Sequence, residues 1–154
     1  MNDLGPWNIN DFEQMSWHDV HVYGFKLENF ITDEGTSDLV FDIDYILKWE
    51  KSNDQFRFLI SRAELRFHDV FGLKMDLDYT KLTAGMSPFS IDGIERELLE
   101  FQTGYKSYQW KIPINWPSGS FEFQAPNFSQ KLTGKLYKQN QQVLISENRN
   151  NENT

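Results

Sequence analysis

Leu39-Val40-Phe41-Asp42-Ile43-Asp44-Tyr45-Ile46-Leu47-Lys48-Trp49-Glu50 is the stretch that decides the fold. Its odd positions, Leu39, Phe41, Ile43, Tyr45, Leu47 and Trp49, are all apolar or aromatic. Its even positions are mostly charged (Asp42, Asp44, Lys48, Glu50), with Val40 and Ile46 as exceptions. Successive side chains of a strand point to opposite faces, so this alternation predicts one buried face and one largely hydrated face. Burying side chains of this kind stabilises by roughly 1.5–3 kcal/mol each, enough to make the strand the anchor of a core.

The same period-two pattern recurs on both sides of it. Trp17 to Glu28 reads as a strand in which Gly24 marks a bulge or a close backbone approach. Asp33-Glu34-Gly35-Thr36-Ser37 is a turn, which makes the first two strands a hairpin. After Lys51-Ser52-Asn53-Asp54, the residues Phe56, Phe58 and Ile60 alternate with polar ones, but at Ser61-Arg62 the phase slips to Ala63, Leu65 and Phe67. A slip needs a bulge or two separate strands, and two strands joined by a kink are expected. Leu73, Met75, Leu77 and Tyr79 form another half-buried strand, followed by a loop at 83–88. Ile91, Ile94, Leu98 and Phe101 have helical spacing, yet Gly93 and the surrounding pattern favour a strand there.

Tyr108, Trp110, Ile112, Ile114 and Trp116 alternate again, with Pro113 pointing to an edge or an unpaired position. Trp116 to Ser120 turns the chain, and Phe121, Phe123 and Ala125 return it as a second hairpin. Residues 1–16 read as an ordered arm pinned by Trp7, Ile9 and Phe12, with Asp11 able to cap a helical turn. Leu136 to Ile145 can add a last short element. The expectation is a mainly β protein: an antiparallel two-layer sandwich or partly closed barrel with at most one or two short helices. Residues 1–146 form a single β-rich domain and 147–154 a disordered Asn-rich tail.

A chain of 154 residues fits one domain. It has no cysteine, which rules out disulfides and Cys-ligated zinc. Neither a signal peptide nor an apolar run of the ~20 residues that span a bilayer is read, so a cytoplasmic protein is expected, away from membranes. The net charge of -8 comes with no basic stripe, which argues against nucleic acid and for a basic protein as partner.

Two constellations carry candidate chemistry. The first is aromatic-His-Asp-Val, seen as Trp17-His18-Asp19-Val20 and Phe67-His68-Asp69-Val70, each followed by Gly-x-Lys. Duplication or a metal site built from His18, Asp19, His21 and His68 could produce it. His18 and His21 are three apart, on opposite faces of a strand, so they share a metal only from a turn. Local hydrogen bonding at strand entrances is the simpler reading. The second is apolar-Asp-apolar-Asp-Tyr, in which Asp42 with Asp44 and Asp76 with Asp78 project from hydrated faces. If those strands were adjacent, four carboxylates would crowd together unless lysines or a cationic partner offset them. No glycine-containing loop supports calcium, and no phosphate loop, nucleophile elbow or zincin motif is present. No cofactor is expected.

The Trp17-His18-Asp19 start, the acidic strand 39–46 and Phe121-Glu122-Phe123-Gln124-Ala125 resemble those of a group of small bacterial proteins of uncharacterised function. Similar aromatic-His-Asp starts occur in some immunity proteins of bacterial toxin–immunity systems, which are often acidic and bind a toxin. That resemblance implies a binding protein and carries no catalytic residue. The leading expectation is therefore a non-enzymatic interaction domain using Asp42, Asp44, Asp76 and Asp78 against a basic partner. A metal-dependent hydrolase using the His-Asp clusters and a small-ligand β-barrel with a pocket lined by Trp49, Trp110 or Trp116 are the alternatives.

Overall fold

The computed structural model describes residues 3–81 and 85–150, with the side chains of Ser52 and Trp116 excepted. Ten strands make one antiparallel sheet: β1 (Trp7–Asn8), β2 (His21–Ile31), β3 (Thr36–Ser52), β4 (Gln55–Leu77), β5 (Phe89–Ile91), β6 (Glu95–Glu100), β7 (Lys106–Trp116), β8 (Gly119–Ala125), β9 (Asn127–Leu132) and β10 (Tyr137–Gln139). The helices are both short: a 3-10 helix at Ile9–Gln14 and α1 at Ser146–Arg149. At the first, the Asp11 carboxylate accepts from the Asn8 amide, as expected of a cap. Mainly antiparallel β structure with two short helices is what the alternation predicts, and within 91–101 Ile91 ends β5 and Glu95–Glu100 is β6.

The neighbours β4, β3, β2, β5, β7 and β8 return to β4 and close a ring of six strands. Its interior is the core. Phe41, Phe67, Phe121, Phe123, Phe128 and Trp110 are fully buried within it. Their rings meet edge to face, Phe41 to Phe121 at 5.1 Å and Phe67 to Phe123 at 4.8 Å, the arrangement the aromatic quadrupole favours. Gly119 is required where β8 begins, because a Cβ there would lie 2.0 Å from the Asp76 carbonyl oxygen. Pro113 sits beyond the end of β6, whose pairing with β7 stops at Glu95 opposite Lys111, so its missing amide hydrogen breaks no ladder there.

Two expectations are corrected. The phase slip at Ser61-Arg62 does not separate two strands, since β4 runs unbroken from Gln55 to Leu77. What changes is the face that is covered. Ser61, Ala63, Leu65 and Phe67 point into the ring, while by strand parity Phe58 and Ile60 share the outer face with Arg62. That outer face is apolar at this end because the segment after β10 lies against it: Gln142 and Val143 border the same hollow as Phe58, and Leu144 is buried in the cluster with Phe58 and Ile60. The extra residue lies on β3 at Leu47, where the register shifts between Ile46 and Lys48. The second correction concerns the tail. Residues 147–150 are held, with Arg149 buried and ion-paired, because the chain's last described turn covers two carboxylates. Residues 151–154, and 83–84 of the expected loop, lie outside the described residues.

Candidate functional site

The outer face of β2, β3 and β4 carries a cross-strand array of opposite charges. Asp42 is opposite Glu64 on β4 and Gly24 on β2, and Asp44 is opposite Arg62 and His21. Around Asp42 and Asp44 four groups converge. Arg149 Nε donates to Asp44 Oδ1 at 2.9 Å, and its two terminal nitrogens donate to Asp42 at 2.7 and 3.1 Å. The Leu144 amide donates to Asp44 Oδ2 at 3.0 Å, and Arg62 forks onto Asp42 at 3.1 and 3.2 Å. The Arg149 guanidinium stacks on the Tyr23 ring with 3.6 Å between its central carbon and the ring centroid. Bidentate contact of this kind gives the cluster a fixed geometry as well as charge balance.

Farther along the same face, Arg66 donates to Glu28, to Asp38 at 2.8 Å and to Glu64 at 3.3 Å. Asn29 also donates to Asp38, Lys26 lies 3.2 Å from Glu28, and Lys131 lies 3.9 Å from Glu64. Electrostatics follow from these contacts. Burial pushes the Asp44 carboxyl up, and the Arg149 charge pulls against it without overcoming it. Burial works the same way on Asp42, but there hydrogen bonds from Arg149 and Arg62 prevail and hold the carboxyl below its ordinary value. Asp38 is likewise held down, by Asn29 and Arg66 against burial. Burial and the Asp44 charge push the Tyr23 hydroxyl up to about 12.

The expected hydrated face of four aspartates is therefore not present. Asp44 has no exposed surface and Asp42 is engaged by two arginines. Asp76 lies at the other end of β4, after it has left β3 to pair with β8, Asp78 follows just beyond that end, and both are exposed. Asp78 accepts from the Thr80 amide and hydroxyl. The crowding of four carboxylates never arises, because β4 changes neighbours before it reaches them.

The histidines also stay apart. His18 Nδ1 lies 3.0 Å from the Asp92 carbonyl oxygen and His21 Nδ1 lies 3.1 Å from that of Asp19, while His68 Nε2 meets Ser129 Oγ at 2.8 Å. Burial lowers the His21 pKa. Among the described residues no group of three His, Cys, Asp or Glu side chains could hold a metal ion. The repeated aromatic-His-Asp-Val motif has a structural meaning instead. Asp19 and Asp69 both adopt the left-handed region, at φ 63° and 55°, a conformation that Asp tolerates better than most residues. In both copies the aromatic and the Val, three positions apart, are buried: Trp17 with Val20, Phe67 with Val70. A regular strand would send them to opposite faces, and the left-handed Asp turns both inward.

Of the proposed aromatic pocket, Trp110 is sealed in the ring interior with Nε1 donating to the Ala125 carbonyl at 2.9 Å. Trp49 is exposed against Phe58, and the Trp116 side chain lies outside what is described. The residues that the sequence reading missed are Arg149, Arg62 and Tyr23. Their signal was the pair of exceptions, Val40 and Ile46, whose apolar side chains on the even face are buried on either side of Asp42 and Asp44.

A pH dependence follows. Asp38 and Asp42 titrate lower in the folded chain than in the unfolded one, near 3.9. Below about pH 4 the unfolded chain takes up protons that the folded chain refuses, so stability falls as pH drops through that range. Asp44, pushed up, works in the opposite sense, so the test compares Asp42→Asn with wild type. Urea midpoints should fall less between pH 7 and pH 3 in the variant, and an equal fall would exclude the Asp42 pairs as a source of the pH dependence. A scan against protein-family models matches none, and a search of curated proteins returns no match, so no family is assigned and the reading of function rests on the residues themselves.

Proposed function

We propose that the protein is a non-enzymatic interaction domain of the bacterial cytoplasm, immunity-like in character, that binds a basic protein. The supporting observation is where its charge lies. The outer face of β2, β3 and β4, with Lys131 of β9 and Arg149 of α1, holds five carboxylates (Glu28, Asp38, Asp42, Asp44, Glu64) and five cations (Lys26, Arg62, Arg66, Lys131, Arg149). That face is neutral as a whole, so the entire surplus of eight negative charges is spread over the rest of the molecule. A surplus of this size steers encounter with a basic partner and raises its association rate by about 10–1,000-fold at low salt.

Side-chain packing inside the ring favours this reading over a ligand barrel, since Trp110 and the phenylalanines occupy the space a ligand would need. Among the described residues no helix is long and apolar enough to cross a membrane. Asp76 and Asp78 remain candidate contacts. Affinity capture from a bacterial lysate at low salt should retain a basic protein, and Asp76→Asn with Asp78→Asn should slow its association. Retention that is indifferent to salt, or a captured partner that is acidic, contradicts the proposal.

A further inference from the structure

Strand β2 is paired with β3 along its length, but on its other side it meets β5 only at His21 and Val22. From Tyr23 to Ile31 that second edge has no strand partner among the described residues. Opposite it, from Phe71 to Leu77, β4 pairs among the described residues only with β8. Between the two lies a groove of about 450 Å3 lined by Phe25, Leu77, Tyr79, Met86 and Phe89. Phe25, Leu27, Phe30 and Ile31 are exposed along β2, as are Met75 on β4 and Met86 in the loop before β5.

Exposed sheet edges are ordinarily blunted by charge, because unpaired amides and carbonyls template the addition of another strand. The sheet's terminal strand β6 follows that rule with Glu95, Glu97 and Glu100. The β2 edge is guarded less: it has Lys26, which lies 3.2 Å from Glu28, and a bulge at the left-handed Asn29, while Phe25, Leu27, Phe30 and Ile31 remain exposed. An unpaired edge beside an apolar groove is the arrangement used to bind an extended segment, with main-chain bonds supplying affinity and alternate side chains specificity.

We propose that this groove receives an extended segment of the basic partner, adding a strand to β2. The inference rests on the reading of a basic partner and names where it docks. Side chains of such a segment alternate, so apolar ones enter the groove against Phe25, Leu77 and Met86. The basic ones then emerge on the side of the sheet that carries Asp76 and Asp78, which alternate with Leu77 and Tyr79 on the far wall. A second copy of this chain fits less well, since it would bring its own surplus of eight negative charges to the same rim.

The test uses a synthetic acetylated and amidated peptide, Lys-Val-Lys-Val-Lys-Val-Lys, and the same peptide N-methylated at every residue. Methylation keeps every charge and removes the amide donors a new strand needs. Added to the isotopically labelled full chain, the unmodified peptide should shift backbone amide resonances of residues 23–31. The N-methylated peptide should bind about tenfold or more weakly, as should the unmodified peptide to Met86→Lys. Met86 is 86% exposed, so that variant keeps its melting temperature. Equal binding of both peptides, or shifts confined to β6, overturns the β2 site while leaving a basic partner in place. No binding of either peptide also overturns the site, and the salt-dependent capture then decides the broader reading separately. A dimer that Met86→Lys dissociates, seen by light scattering, assigns the edge to a second copy and overturns the proposal.

Discussion

Arg149→Ala is expected to destabilise the protein by about 3–5 kcal/mol, the cost of removing one partner from a buried ion pair. Asp44 has no exposed surface, and Arg149 supplies the charge that balances it there. With the guanidinium gone, the carboxylate keeps the Leu144 amide and the Tyr23 hydroxyl as donors and loses its counter-charge. Asp42 fares better, since Arg62 still holds it and it is partly hydrated. Arg62→Ala is the internal comparison. Arg62 is more exposed than Arg149, and its loss should cost about 1 kcal/mol or less, in the range of surface pairs. Pairing Arg149→Met with Asp44→Leu should recover part of the large loss, because the isolated charge is removed while the Leu144 amide stays without its acceptor. Urea denaturation of the variants measures all of this. A loss for Arg149→Ala no larger than that for Arg62→Ala would show that residues 140–149 lift away and let Asp44 rehydrate.

Trp110→Ala should cost about 3–5 kcal/mol by the cavity it opens, which lowers the melting temperature by about 2–4 °C for each kcal/mol. The ring of Trp110 is in contact with Phe12, Phe67, Tyr108 and Phe128, at centroid distances of 5.0 to 5.9 Å. These four reach it from the 3-10 helix, β4, β7 itself and β9, so one truncation loosens most of the core's circumference. The Arg96 guanidinium closes the stack from outside, 4.1 Å from the Phe12 ring centroid and 4.4 Å from that of Tyr108. Trp110→Phe separates packing from hydrogen bonding. It keeps most of the volume, and loss of the indole hydrogen bond to the Ala125 carbonyl should cost about 0.5–1.5 kcal/mol. Differential scanning calorimetry distinguishes the two variants. Equal melting temperatures for wild type and Trp110→Ala would mean that the core is not the one described.

Much of this core was legible in the sequence because strand alternation reports burial on one face directly. Leu39, Phe41, Ile43 and Tyr45, read as the inner face of β3, are all buried. Alternation says nothing, however, about which charged positions on the other face lie under a distant segment. Asp44 reads as hydrated from its neighbours, and what covers it comes from 105 residues away. Val40 and Ile46 hinted at a second covered face, as did the phase slip at Ser61, which records where β4 passes from an outer contact to the inner one. The two Asp residues of the repeated His-Asp motif were legible as a pattern but not as a bend, because left-handed geometry depends on what the flanking aromatic and Val must both reach.

The distance along the chain between Asp44 and Arg149 also sets an order of events during synthesis. At about 5–20 residues per second, Asp44 leaves the ribosome some 5–20 s before the arginine that neutralises it. Through that interval the carboxylate has to remain in water and the outer surface of β3 stays open, and the last of the core aromatics, Phe128, precedes Arg149 by about 1–4 s. A released chain that stops just short of Arg149 therefore carries every interior aromatic with an open exterior over Asp44.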